Sequence, residues 1–236
     1  MHSLALASRN FLFILCAMLL PMHAVQAAAN TNAGPPEDCL GGFQSMEEER
    51  YADAVKLFGK CLQLNLSAAA RALVLRVRAE AQRELGRPDL AVEDVKSSVV
   101  LEAPKDVWPW VSLGYYYRDL RQYERSLEAL KEALEFDENG PGSGPGMAVY
   151  YHTGLTLHAT GRYAEAVDAY TKGIPRQPDY GYAYYRRALA HEALGNRAFA
   201  RQDLLKALEF SPAEGYEQDV LSKFSEYGLK PQSSPK

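Results

Sequence analysis

Apolar side chains recur along this chain at helical spacing, and the helical pattern itself repeats. Aligned on a small residue, Ala54, Ala91, Ser126, Ala166 and Ala200 fall 37, 35, 40 and 34 residues apart. Three residues before each stand Tyr51, Pro88, Tyr123, Tyr163 and Arg197, and four after each stand Phe58, Val95, Leu130, Tyr170 and Leu204. Seven after comes a second small group: Cys61, Ser98, Ala133, Gly173 and Ala207. Upstream of each set a further series runs in step. Gly42, Ala79, Gly114, Gly154 and Ala188 hold a small position, with Trp110, Tyr150 and Tyr184 as bulky residues four earlier. Positions three, four and seven apart share one helix face, so each period predicts two amphipathic helices. Small side chains let the two approach closely, and the large ones fill the gaps between successive pairs. Gly86, Gly161 and Gly195 mark tight turns inside the pairs, where a left-handed backbone is needed. Pro178 and Pro212 are expected to close the fourth and fifth pairs, because a helix does not run on through proline.

A period near 34 residues marks a helix-turn-helix repeat. The stretches WPWVSLGYYYRDLRQYERSLEALKEALEFD and YYHTGLTLHATGRYAEAVDAYTKGIPRQPD closely resemble the tetratricopeptide-repeat (TPR) family. The resemblance runs from about Pro35 to Pro212. It implies an all-α solenoid of about five repeats, near residues 35–68, 72–105, 107–140, 147–180 and 181–214, wound as a right-handed superhelix. The first two repeats depart from the family pattern. Pro88 opens the second helix of repeat two, a tolerated first-turn position, and repeat one begins Gly41-Gly42 without the bulky residue. A repeat cannot bury its apolar face alone, so the array needs a cap. Residues 215–229, with Val220, Leu221 and Phe224 at helical spacing, read as that capping helix. The sequence ENGPGSGPG, from Glu138 to Gly146, is an insertion whose Gly and Pro content excludes helix. It reads either as a lengthened surface loop or as a hinge or contact element beside the groove. Residues 28–34 read as a flexible N-terminus and 230–236 as a disordered tail.

The N-terminus does not belong to this pattern. Arg9 precedes an apolar run from Phe11 to Leu20, Pro21 breaks it, and Val25-Gln26-Ala27 offers small residues for cleavage after Ala27. That is the layout of a secretory signal peptide over residues 1–27. A membrane anchor is the competing reading, but the run of about ten residues falls short of the ~20 a bilayer span needs. Leu15 stands where a lipobox has a small residue, which argues against lipid attachment at Cys16. Export to a Gram-negative periplasm is expected, with the extracellular space as the alternative.

The chain has 26 Lys and Arg against 30 Asp and Glu, a net charge of −4. With no basic block, there is no electrostatic reason to bind nucleic acid or an anionic membrane surface. Beyond the signal region two cysteines remain, Cys39 early in a first helix and Cys61 late in its partner. Antiparallel pairing brings those levels together, and a disulfide persists in an exported compartment. Closing a loop of about 22 residues would add roughly 3 kcal/mol. Two buried thiols are the alternative. A CxxC pair and a zinc cluster are absent. Asn65-Leu66-Ser67 is a glycosylation sequon by pattern, relevant only in a eukaryotic secretory pathway.

Catalytic motifs are also missing: no phosphate-cradling glycine loop, no GxSxG elbow, no HExxH. His152 and His158 lie six apart on different helix faces, and His191 takes a site usually filled by a packing aromatic. Carboxylates such as Glu47-Glu48-Glu49 and Glu165 with Asp168 read as solvated helix faces. No enzyme, metal or cofactor is expected.

The TPR resemblance implies that the first helices line a concave groove where a protein or peptide ligand lies. Its groove positions fall on Arg76, Glu80 and Arg83 in repeat two, and on Trp108, Val111, Ser112, Tyr115 and Arg118 in repeat three. Repeat four contributes Tyr151, His152, Leu155 and His158. Repeat five contributes Tyr182, Tyr185, Arg186, Leu189 and Glu192. The lysine–asparagine carboxylate clamp of some family members is absent: Val111, Tyr115, Tyr151, Leu155, Tyr185 and Leu189 stand there. A ligand would therefore meet aromatic and apolar contacts, with Arg118 and Arg186 as anionic anchors. An extended peptide or an amphipathic helix would fit such a wall. The alternative is that several of the tyrosines face neighbouring repeats. An exported adaptor is the expected function. A self-assembling envelope component and a glycan-binding module are the alternatives.

Overall fold

The computed structural model describes residues 36–139, 146–210 and 218–229. The expected signal peptide, the 28–34 segment, residues 140–145 of the insertion, Pro212, the start of the expected cap and the 230–236 tail lie outside the described residues. Among the described residues there are eleven α-helices and no strand. None of these helices is long and apolar enough to cross a membrane. The chain divides into two compact units, one ending at Arg121 and one beginning at Gln122.

In the N-terminal unit, α1 (Glu37–Glu47) and α2 (Tyr51–Cys61) form a hairpin. Cys39 and Cys61 are joined by a disulfide across it, with Cα atoms 5.0 Å apart. Both cysteines are fully buried, beside Ala54 and Phe58. Next come α3 (Ala68–Glu84), α4 (Pro88–Leu101) and α5 (Trp108–Asp119), each packed on its predecessor. The helix ends follow local chemistry. The Ser67 hydroxyl accepts from the Ala70 N–H at 3.2 Å to cap α3. Pro88 occupies the first turn of α4, where its missing N–H costs nothing.

In the C-terminal unit, α6 (Tyr123–Asn139) precedes the hairpin of α7 (Met147–Ala159) and α8 (Tyr163–Gly173). A 3₁₀ turn (Ile174–Arg176), α9 (Gly181–Ala193), α10 (Arg197–Phe210) and α11 (Gln218–Glu226) follow. Val220, Phe224 and Leu229 join the same buried cluster as Ala188, Ala200 and Leu204, so α11 and the residues after it cover the last hairpin.

The turns inside the pairs share one closure. Gly86, Gly161 and Gly195 have φ of +72°, +76° and +78°. In each the following N–H reaches back five residues: Arg87 to Gln82 O, Arg162 to Leu157 O and Asn196 to His191 O, at 2.8–2.9 Å. The first hairpin makes the same turn with Glu49 at φ +56°, closed by Arg50 N–H to Ser45 O at 2.8 Å.

Close approach explains the aligned small residues. A Cβ on Gly42 would stand 2.5 Å from the Phe58 ring, and one on Gly154 2.5 Å from the Tyr170 ring. At Gly173 it would meet Met147 Sδ and Tyr150 Cβ at 2.7 Å.

Two boundaries differ from expectation. Helix α6 runs through Glu138 to Asn139, two residues into the Gly/Pro-rich insertion. The polar residues there extend an established helix, and the first glycine comes only at 140. Helix α8 ends at Gly173, five residues ahead of Pro178, because Pro175 tightens the chain into the 3₁₀ turn.

Candidate functional site

The first helices of the pairs carry the expected ligand-facing residues, and burial divides those residues into two groups. In the N-terminal unit Glu80, Val111 and Tyr115 are buried, and Val111 exposes no surface at all. Arg76, Arg83, Trp108, Ser112 and Arg118 are partly exposed. Glu80 is satisfied internally. Its Oε2 accepts from the Tyr115 hydroxyl at 2.8 Å and the Tyr116 hydroxyl at 2.9 Å. Burial and that carboxylate push both phenols well above their ordinary range, so they remain donors. Arg83 donates to Asp119 Oδ2 at 2.8 Å and to Glu84 Oε1 at 3.0 Å, and its guanidinium lies 5.0 Å from the centre of the Tyr115 ring. Ser112 Oγ is 3.2 Å from the Tyr115 hydroxyl. Arg118 lies 3.9 Å from Asp119 Oδ1. Glu80, Tyr115 and Arg83 thus join α3 to α5, and their polar groups are largely committed to the fold.

In the C-terminal unit α7 and α9 lie in contact. Tyr151 and Tyr185 are buried, whereas His152, Leu155, His158, Tyr182, Arg186, Leu189 and Glu192 are partly exposed. The centre is a group of tyrosines. The Tyr151 ring stands 5.3 Å from Tyr180 and 6.1 Å from Tyr170, and Tyr180 is 6.1 Å from Tyr182. The Arg186 guanidinium lies 5.5 Å from the centre of the Tyr185 ring and close to the Tyr151 phenol. Tyr180 is pushed well up by burial and by its proximity to the Tyr151 phenol. His158 stacks edge-on against Tyr163 at 5.0 Å, and burial followed by the Arg186 charge lowers its pKa. Glu192 faces the last helix instead: its carboxylate accepts from the Tyr227 hydroxyl at 3.0 Å and pairs with Lys223 at 3.0 Å.

Some residues of consequence escaped sequence reasoning. Tyr180 belongs to the tyrosine group, and its only sequence signal is its place in the run Tyr180-Gly181-Tyr182. Asp94 and Asp203, buried acids on second helices, each take a two-pronged bond from an arginine of the first helix. Arg78 reaches Asp94 at 2.6 and 2.7 Å, and Arg187 reaches Asp203 at 2.7 and 2.8 Å. A signal existed. Both pairs are separated by 16 residues, with the arginine just before an aligned small residue and the aspartate three after the next. Among the described residues no group of three or more His, Cys, Asp or Glu is placed to hold a metal ion.

Comparison with known proteins fits this geometry. Residues 107–179 match one tetratricopeptide-repeat family profile and residues 181–214 match a second. No curated protein sequence matches the chain. Among solved structures, MamA is similar at 24% identity and a TM-score of 0.59, over 72% of this chain and 93% of that one. TTC0263, a thermophilic TPR protein of Thermus thermophilus, is similar at 22% identity and a TM-score of 0.62, over 80% and 96%. YrrB, described as a TPR protein with an unusual peptide-binding site, is similar at 17% identity and a TM-score of 0.56, over 80% and 90%. At these identities the likeness concerns the fold. The two matched profiles and the recurrent helix-turn-helix pairs make this chain a member of the tetratricopeptide-repeat family.

Proposed function

We propose that this protein is an exported adaptor that holds a polypeptide segment against the first helices of its repeats. One observation carries the reading: α7 and α9 touch, and α9 presents Tyr182, Arg186 and Leu189 as a stripe of partly exposed side chains at helical spacing, beside the partly exposed His152, Leu155 and His158 of α7. Aromatic, aliphatic and guanidinium groups supply contact area and forked hydrogen bonding at little conformational cost. Trp108 and Arg76 are the corresponding partly exposed groups of the N-terminal unit. The peptide-binding site ascribed to YrrB supports the same class of ligand. Export rests on the signal-peptide pattern of residues 1–27, and the Cys39–Cys61 disulfide is compatible with it. The role is that of a scaffold, not a catalyst.

The test is affinity capture from a cell-envelope extract, with wild type beside a His152→Ala/Tyr182→Ala variant. Both positions are partly exposed, so helicity by circular dichroism should be unchanged. A partner retained by wild type and lost by the variant is expected. A partner retained equally by both contradicts the placement of the ligand.

A self-association role is a second reading, favoured by the exposed apolar side chains Leu194, Phe199 and Leu205 at 41%, 57% and 44% exposure. Sedimentation showing concentration-dependent size, abolished by Phe199→Lys, would favour it over the adaptor.

A further inference from the structure

Several partly enclosed arginines in this protein are matched to oxygen acceptors. Arg71 donates to the carbonyls of Leu62 and Leu64. Arg78 clasps Asp94, Arg83 reaches Asp119, and Arg187 clasps Asp203. Arg186, one residue before Arg187, is different. Among the described residues it forms no ion pair with a carboxylate. Its Nε is enclosed yet has no hydrogen-bond partner. Its neighbours are phenols: Tyr151, close to the guanidinium, and Tyr185, over whose ring it lies. A partly exposed guanidinium with no counter-charge and one enclosed, unmet donor is open to an anion from outside the chain.

We propose that Arg186 anchors a carboxylate of the bound polypeptide, beside the rings of Tyr151, Tyr180 and Tyr182. This rests on the reading that a segment lies along α7 and α9. The guanidinium fork matches a planar carboxylate, and the low-dielectric aromatic surround strengthens the pairing. The charge balance favours a monoanion over a phosphate. Arg186 supplies one positive charge, and His158, the nearby titratable base, is held toward its neutral form. Arg118, the other cationic candidate from the sequence, already faces Asp119 at 3.9 Å.

The experiment uses the full chain and an immobilised library of random 12-residue peptides as the probe. Each binder is remade with its Asp and Glu changed to Asn and Gln, and with its C-terminus as free acid or amide. The protein is wild type, Arg186→Met or Arg186→Lys. Neutralising one carboxylate should weaken binding about tenfold or more. Arg186→Met should do the same, the two losses should not add, and Arg186→Lys should recover part of the affinity. The thermal midpoint of Arg186→Met should stay close to wild type, since a partly exposed residue without an ion pair among the described residues is removed. The acid and amide arms separate a terminal carboxylate from a side-chain one. Binders that hold equally to Arg186→Met and are indifferent to neutralisation overturn the anchor and leave the adaptor standing. If no peptide binds the wild type, both readings fall.

Discussion

At the residue scale the repeat is specified by what has no room. Gly154 is legible in the sequence as an aligned small position, and in the structure the Tyr170 ring occupies the space a methyl group would need. Gly154→Ala should therefore destabilise the C-terminal unit by about 1–3 kcal/mol through overpacking, read as a lower urea midpoint. An unchanged midpoint would mean the hairpin tolerates a wider spacing. Glu80 was illegible as a buried acid, because a carboxylate on a helix reads as solvated unless its partner on another helix is known, whereas Asp94 and Asp203 were legible only through the arginine 16 residues before each. The histidines carry a pH prediction. Burial lowers the pKa of both His158 and His191, so the unfolded chain takes up protons first as pH falls. Stability is complete above the ordinary histidine value of about 6.5 and is lost as pH drops from there through the lower folded values. His158→Gln and His191→Gln should each flatten the thermal midpoint between pH 7.5 and 5, about the range where histidine titrates. A midpoint that rises on acidification through that window would contradict the assignment.

At the element scale, helix pairs were legible wherever the 34-residue frame held, and the turn glycines supplied the closures. The frame weakened at its ends. The first hairpin turns at Glu49, without the glycine found at 86, 161 and 195, and the acidic run Glu47–Glu49 hid that turn. Composition also misled at Glu138 and Asn139, which continue α6 because a helix already nucleated propagates through fair helix formers. Among the described residues the first hairpin packs against α3, and its disulfide closes a separation of 22 residues. Reduction, or a Cys39→Ser/Cys61→Ser variant, should lower its stability by roughly 3 kcal/mol. Hydrogen exchange in α1 and α2 should then become faster than in α3. Equal protection with and without the disulfide would show that packing alone holds the hairpin.

At the scale of the whole molecule, the fold class was legible because repetition multiplies a weak local signal several times over. Which first-helix side chains reach solvent was not. Tyr115 and Tyr151 occupy expected ligand-facing positions, yet both are buried, because a wide aromatic on a first helix is equally able to fill the gap to the next repeat. The account's central claim is that a polypeptide partner lies on the first-helix face of the repeats. Site-specific photo-cross-linking of the captured partner tests this most directly, with the probe at Leu189 on α9 or at Asp168 on the exposed side of α8. Adducts to the partner from Leu189 and none from Asp168 are the predicted result. Adducts from Asp168 with none from Leu189 would contradict the account.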